Sequence, residues 1–306
     1  MKRHGIKVTN LTKDFKDVRA LNSVSFTIDK PGLYGLIGPN AAGKTTLLKC
    51  ISSLLVPTEG DVFIDGIEVN TKNLQIRSKI GFLPEDSGLY DKLTARDFLH
   101  IMAGMHGLTK NQRIQRVNEV VEYVGIDFSP NKVVKYLSTG QRRLLLFASV
   151  LLHNPEILIL DESLSGLDPI NREHLAQIMR KTAEEKIVLF SSHILSDIWS
   201  LCERIFVLKE GDLIVDDHPD SILSRMTDDS HFITTRGNLD EVKKHLEGFD
   251  FIKNVKIKGD TIIFHANDLE RLRKVVAEMV EEFDISSFGP NVPDLDQIFT
   301  RLVNAS

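Results

Sequence analysis

Cysteine is scarce in this 306-residue chain: there are two, Cys50 and Cys202. Both sit in apolar-patterned segments, so a disulfide framework is not expected and buried free thiols are. Long apolar runs are missing too. The longest candidate, Leu144 to Leu152, is far short of the ~20 residues a membrane helix needs and reads as a buried helix. Met1-Lys2-Arg3-His4-Gly5 is basic but no apolar stretch follows, so no signal peptide is expected. There is no excess of positive charge: the net charge of −5 argues against a binder driven by nucleic-acid phosphates. Sequence repeats and low-complexity tracts are absent. What remains, 42% hydrophobic and 26% charged residues over this length, fits a globular protein of one large domain or two smaller ones.

One stretch organises the rest: Gly38-Pro39-Asn40-Ala41-Ala42-Gly43-Lys44-Thr45-Thr46. The apolar run Leu33-Tyr34-Gly35-Leu36-Ile37 feeds into it, and Leu47, Leu48, Ile51, Leu54 and Leu55 follow at helical spacing. The order strand, glycine loop, helix carries the pattern G-x-x-x-x-G-K-[ST]. Gly38 and Gly43 let the backbone wrap so that its N–H groups point at phosphate oxygens, and the positive end of the next helix faces the same anion. Lys44 would reach the outer phosphates and the Thr45 hydroxyl would ligate Mg²⁺. The bland alternative is a chance match in a glycine loop, which the flanking strand and helix disfavour.

Residues 6–30 read as strands around a turn at Lys13-Asp14-Phe15-Lys16-Asp17. Asp65-Gly66 marks a hairpin between Val62/Ile64 and Ile67/Val69. Ile80-Gly81-Phe82-Leu83 is a short strand. Residues 88–135 read as a helical insert, with Thr94/Asp97 and Thr109/Gln112 as helix caps and Ile114, Val117, Val120, Val121 and Val124 as one apolar face. The α/β pattern resumes at Ile157-Leu158-Ile159-Leu160 and Ile187-Val188-Leu189-Phe190, both fully apolar as in strands covered on two sides. Ile205/Val207 and Leu213/Val215 form a hairpin. Trp199 packs the helix that follows His193. Residues 216–230, acidic and polar with Pro219, read as a short helix plus a linker placed at 221–230. From 231 the order is β-α-β-β-α-β, closed by a helix over 295–303 that Asp294 and Gln297 cap.

A triphosphate loop needs a metal holder and a water positioner. Asp161, at the end of a buried strand, can hold Mg²⁺ opposite Thr45, and Glu162 would face the water that attacks the γ-phosphate. Ser138-Thr139-Gly140-Gln141 opens the apolar helix 144–152 and offers N–H groups to an anion; a plain cap for that helix is the equal alternative.

With these residues in place the chain resembles the ATP-binding subunit of an ATP-binding-cassette (ABC) transporter over residues 4–220. Gly38 to Thr46 matches the phosphate loop, Leu137-Ser138-Thr139-Gly140-Gln141 the family signature, and Ile157 to Glu162 the Walker B strand. Ser165-Gly166-Leu167-Asp168 matches the D-loop and Ser191-Ser192-His193 the switch-histidine loop. Phe15 stands where the family stacks an aromatic ring on adenine. Ile80 to Glu85, Gly88-Leu89-Tyr90 and the ending Pro293 to Phe299 are similar to the exporter branch whose permeases are separate bacterial or archaeal subunits. The resemblance implies an α/β fold, the P-loop NTPase core of an ABC ATPase (1–220) with its helical subdomain (about 88–135). A small α+β ferredoxin-like C-terminal domain (231–306) would follow.

It further implies a Mg²⁺-dependent ATPase at the cytoplasmic face of the cell membrane. Its partners would be an integral-membrane permease and a second ATP-binding subunit, identical or a close paralogue, with no nucleic acid. Ser138 and Gly140 of that second subunit would cover the γ-phosphate, with Gln141 also counted among the nucleotide-binding residues; His193 would contact that phosphate and Asp168 would link the two sites. Some residues depart from the family pattern. Ala41 replaces a usual Gly. Thr139 replaces a signature Gly and crowds the contact across the dimer. Glu85 stands where Gln is commoner; two like charges ~4 Å apart repel by about 4 kcal/mol, so Glu85 should hold the metal or its water, or stand back. The alternative is a soluble ABC-type ATPase not coupled to transport, acting on ribosomes or DNA; those carry tandem cassettes or long coiled coils, absent here. A P-loop kinase would have no use for the signature or the switch histidine.

Overall fold

Two long strands, β1 (Ile6–Phe15) and β2 (Val18–Ile28), pair antiparallel at the N-terminus of the described chain. The structure, a computed structural model, describes residues 5–70, 73–226, 230–291 and 294–304. The turn between these strands is tighter than the charged stretch 13–17 suggests. Phe15 still pairs with Val18, so only Lys16 and Asp17 turn, Lys16 with φ +50°. Pairing with β2 keeps these charged residues extended. β3 (Gly32–Ile37) follows with all six residues buried, and α1 (Lys44–Ile51) begins at Lys44. β4 (Glu59–Ile64) and β5 (Ile67–Glu68) form the expected hairpin, Asp65 and Gly66 both left-handed as a two-residue turn of this kind requires. A six-residue helix with no clear sequence signal, α2 (Leu74–Lys79), is capped by the Asn73 side chain and runs into β6 (Ile80–Leu83).

The helical insert contains α3 (Ala95–Met105) and α4 (Lys110–Val124). Thr94 caps α3 through Asp97 N–H, and the Thr109 N–H donates to Gln112 Oε1 at 2.9 Å. Val117, Val120 and Val124 are buried as expected; Ile114, nearer the start of α4, is exposed instead. α5 (Thr139–Leu151) packs on α3, α4 and β6. Then come β7 (Ile157–Leu160), α6 (Pro169–Ala183), β8 (Ile187–Ser191), α7 (Leu195–Leu201), β9 (Arg204–Lys209) and β10 (Asp212–Asp217). β9-β3-β8-β7-β6 is a parallel sheet, with β10 added antiparallel to β9 at one edge. Strands β7 and β8 are buried along their whole length, which is why they read as unbroken apolar runs. The second sheet, in order β2-β1-β4-β5, is antiparallel and shares a core with the first through Leu21, Phe26, Leu47, Ile64 and Phe206.

The chain divides at Pro219–Asp220 into two units. The short helix expected within 216–230 is α8 (Pro219–Met226), which takes in the first part of the linker placed at 221–230, and Ser230 already opens β11; residues 227–229 lie outside the described residues. The second unit holds β11 (Ser230–Thr235), α9 (Leu239–Glu247), β12 (Ile252–Lys258), β13 (Thr261–Ala266), α10 (Leu269–Glu282), β14 (Ile285–Pro290) and α11 (Leu295–Asn304). Its sheet order β12-β13-β11-β14, all antiparallel, is that of the β-α-β-β-α-β arrangement. Ile233, Phe264, Leu246, Leu272 and Met279 form a core of its own. Asp294 caps α11 through Gln297 N–H, and Pro293 lies outside the described residues.

Candidate nucleotide site

The loop between β3 and α1 is held by close backbone contacts. Gly43 has φ +103°, and a Cβ there would collide with the Ala20 carbonyl. A Cβ at Gly38 would meet the Leu208 carbonyl. Both glycines are therefore required by the neighbouring strands as well as by a phosphate. Ala41 is left-handed at φ +64°, so the alanine occupies a conformation that glycine prefers. Lys44 is buried and folded back, its ammonium 2.8 Å from Gly38 O and 3.1 Å from Pro39 O. Burial pulls its pKa down, and the carboxylates of Glu162, Asp161 and Glu85 push it up. Two backbone carbonyls thus hold a cation that phosphate oxygens would satisfy better.

A cleft of about 880 Å³ opens over this loop. Phe15, Asn40, Ala41, Ala42, Gly43, Lys44, Thr45, Thr46, Glu85, Glu162 and His193 all line it, so segments from five places in the sequence meet at one site. Phe15 is 46% exposed at its rim, with the Lys13 ammonium over its ring at 5.1 Å from the centroid. Pro39 is exposed and outside the lining; it contributes its carbonyl to Lys44.

Asp161 and Glu162 directly follow β7 and are buried. Glu162 has φ +49°, strained for a residue with a side chain. Its N–H donates to Ser191 Oγ at 2.9 Å, and Ser191 Oγ donates to Asp161 Oδ1 at 2.7 Å. One hydroxyl therefore fixes both acids. His193 Nδ1 lies 2.7 Å from Glu162 Oε2, which also accepts the His193 backbone N–H at 3.3 Å. A carboxylate so oriented, at the edge of the phosphate cleft, can align a water and share its proton.

Asp161 Oδ2 is buried with no hydrogen-bond partner among the described residues, an orphaned acceptor that a ligand would satisfy. No group of three or more His, Cys, Asp or Glu among the described residues forms a complete metal cage. A lone carboxylate with the Thr45 hydroxyl suits a cation that takes its remaining ligands from phosphate and water, the habit of Mg²⁺.

The signature residues do not reach this cleft. Ser138 caps α5, accepting from Gln141 N–H at 3.2 Å, and is exposed. Gln141 Oε1 is taken by the Ser138 N–H and the Lys132 ammonium. Gly140, expected among the exposed contacts, is buried: a Cβ there would lie 2.5 and 2.7 Å from Asn171 Nδ2 and Oδ1. The exposed groups of this helix tip are Ser138 and Thr139. Asp168 caps α6, accepting from Ile170 and Asn171 N–H and from Asn171 Nδ2. Asn171 thus joins the D-loop to the signature helix, a contact invisible in the sequence because the residues are far apart along the chain.

The sequence reading missed other residues that line the cleft, among them Arg19, Ala20 and Glu210 from the β1–β2 and β9–β10 hairpins. It also missed Arg143, buried behind the two acids; the signal available was a cation at the start of an apolar run.

Comparison with known proteins decides the family. The ABC transporter family model matches residues 21–165. An uncharacterized ABC transporter ATP-binding protein of Bacillus subtilis (strain 168), YhaQ, is 32% identical over 98% of this chain and 99% of its own. The chain belongs to the ATP-binding subunits of ABC transporters. It is an ATPase of the transport-coupled kind. The bacitracin transport ATP-binding protein BcrA of Bacillus licheniformis is 31% identical over 97% of both chains. Among solved structures, the dimeric post-hydrolysis state of the ATP-binding cassette MJ0796 with ADP and Pi superposes at a TM-score of 0.64 with 28% identity. That match covers 70% of this chain and 98% of the other. The α/β P-loop core expected from the sequence is the fold these relatives share.

Proposed function

We propose that this chain is one half of a nucleotide-clamped pair, identical copies or close paralogues, that drives a separate integral-membrane permease in the exporter branch. The observation that carries the pairing is the split between its motifs. Lys44, Thr45, Glu85, Glu162 and His193 share one cleft, while Ser138 and Asp168 lie outside it on exposed helix starts. A second chain would bring its Ser138 tip over the first chain's cleft, and MJ0796, a dimer in its solved state, supports this. The exporter reading leans on the name of the bacitracin transport relative.

In this reading Phe15 stacks on the adenine. The loop N–H groups of residues 40–45 and the positive end of α1 hold the phosphates, and Lys44 leaves its carbonyls to reach the outer ones. Thr45 and Asp161 would hold Mg²⁺, which would neutralise charge on the phosphates, and Glu85 would hold the metal or its water, or stand back. Glu162, fixed by His193 and Ser191, orients the water and accepts its proton as the γ-phosphoryl bond breaks. Ser138 of the partner loses its anion on hydrolysis, and the pair separates. The helical insert, 88–135, passes that movement to the permease. Residues 1–220 form the working ATPase and 231–306 an accessory domain for packing or dimer contact. No helix among the described residues is long and apolar enough to cross a membrane, so attachment to the cytoplasmic face would come through the permease.

Glu162→Gln keeps the shape of the site and removes its base. It should bind ATP, accumulate as a dimer by size exclusion and light scattering, and lose turnover by 10²-fold or more. Wild-type turnover would remove Glu162 as base; a monomer with ATP bound would end the clamped-pair reading.

A further inference from the structure

Arg143 is a charge at the head of an otherwise apolar helix face. It is 9% exposed and reaches from α5 to the loops that follow β6 and β7. Its three donor arms go to backbone carbonyls rather than to carboxylates. Nε donates to Ser163 O at 2.8 Å, Nη1 to Glu85 O at 3.2 Å, and Nη2 to Glu162 O. Burial pulls its pKa down, and the negative field of Glu85, Asp161 and Glu162 counters that only in part. A planar fork can span three acceptors from two separate loops; a lysine ammonium, a single point, cannot.

Each carbonyl belongs to a residue of consequence. Glu85 lines the cleft from the loop after β6. Glu162 is the base, held in a left-handed conformation that is strained for a non-glycine residue and so lasts only while its surroundings impose it. Arg143 holds its carbonyl, and Ser191 its N–H. On the other side, Arg143 lies little more than one helical turn from Ser138, on the same rigid helix.

We propose that Arg143 is a positioning residue that ties the signature helix to Glu162 and Glu85 of its own chain, so that seating the helix tip on a partner's nucleotide aligns this chain's own base. The inference rests on the clamped-pair reading. It couples the two sites of the pair through one side chain: the tip serves the partner's ATP, and its anchor serves the chain's own.

Arg143→Lys in the full chain tests it, because the charge stays and the fork is lost. Hydrogen exchange of the nucleotide-free protein should quicken at 84–87 and 161–165. ATP affinity should stay within about threefold, while kcat falls at least about tenfold, the scale on which misplacing a reacting group acts. A mixed dimer separates own-chain from partner effects. Pairing one Arg143→Lys copy with one Glu162→Gln copy should turn over at about a tenth or less of the rate of a wild-type/Glu162→Gln pair, since the only chain with a base has lost its alignment. Half of wild-type turnover in that pair would overturn the proposal, as would unchanged exchange, or a loss of kcat matched by equal losses of affinity and stability. Arg143→Gln carries the same readouts if the lysine variant does not fold, and failure of both to fold would assign Arg143 to stability alone. ATP-induced dimerisation of Glu162→Gln by itself reports separately on the clamped pair.

Discussion

Gly140 offers the sharpest test of how the signature helix is built. Replacing it with alanine in an open helix should stabilise the chain by up to about 1 kcal/mol, because glycine is the poorer helix former. Here the new methyl would sit 2.5 Å from Asn171 Nδ2 and 2.7 Å from Oδ1. Asn171 is no loose surface chain; its amide donates to Asp168 Oδ2 at 2.5 Å. Overpacking of this kind costs about 1–3 kcal/mol. Gly140→Ala alone should therefore lose up to about 2 kcal/mol. In an Asn171→Ala background the clash is gone, and the same substitution should gain up to about 1 kcal/mol. The sign reverses, and the coupling between the two positions equals the clash. Urea unfolding followed by tryptophan fluorescence reads it, since Trp199 of α7 is the only tryptophan and reports on the first unit. At about 1–3 kcal/mol per molar urea, a 2 kcal/mol loss moves the midpoint by about 1 M. Equal losses in both backgrounds would show that Asn171 does not impose the glycine.

Three further outcomes are expected. Phe15→Ala should weaken ATP and GTP alike by about 1–3 kcal/mol, since stacking tolerates either base; a titration in which neither nucleotide changes would remove Phe15 from the site. Ala41→Gly should raise the thermal midpoint, because the αL strain relieved at φ +64° exceeds the added freedom of the unfolded chain by roughly 0.5–1 kcal/mol; a lower midpoint counts against it. His153 stacks on His106 at 3.9 Å, its Nε2 lies 3.0 Å from Ile80 O, and burial pushes its pKa down to about 4. Below its ordinary value near 6.5 the unfolded chain binds a proton that the folded chain refuses. This contribution to stability is therefore full above pH 6.5 and falls by at most about 3 kcal/mol as pH drops towards 4. His153→Gln should flatten that part of the stability–pH curve, and an unchanged slope would refute the assignment.

Much of this protein is written locally. Gly43, Lys44 and Thr45 announce a phosphate loop because a short stretch of backbone makes the whole cradle. The apolar runs 157–160 and 187–190 announce buried parallel strands because both their faces are covered. The caps at Thr94, Thr109 and Asp294 are equally local, since a cap and its partner lie within one turn. What sequence order could not convey were contacts between distant segments. Ser191 bridging Asp161 and Glu162, His193 against Glu162, Asn171 filling the space that Gly140 leaves, and Arg143 gathering three carbonyls each depend on where strands and helices stop relative to one another. Gly140 shows the difference within a single residue. Its type is plain in the signature, but only the tertiary structure reveals that a neighbouring side chain, and not an open surface, demands it. Chain-local chemistry set the nucleotide loop and the strand pattern; three-dimensional packing chose which polar groups meet, because those meetings are made across the sheet rather than along the chain.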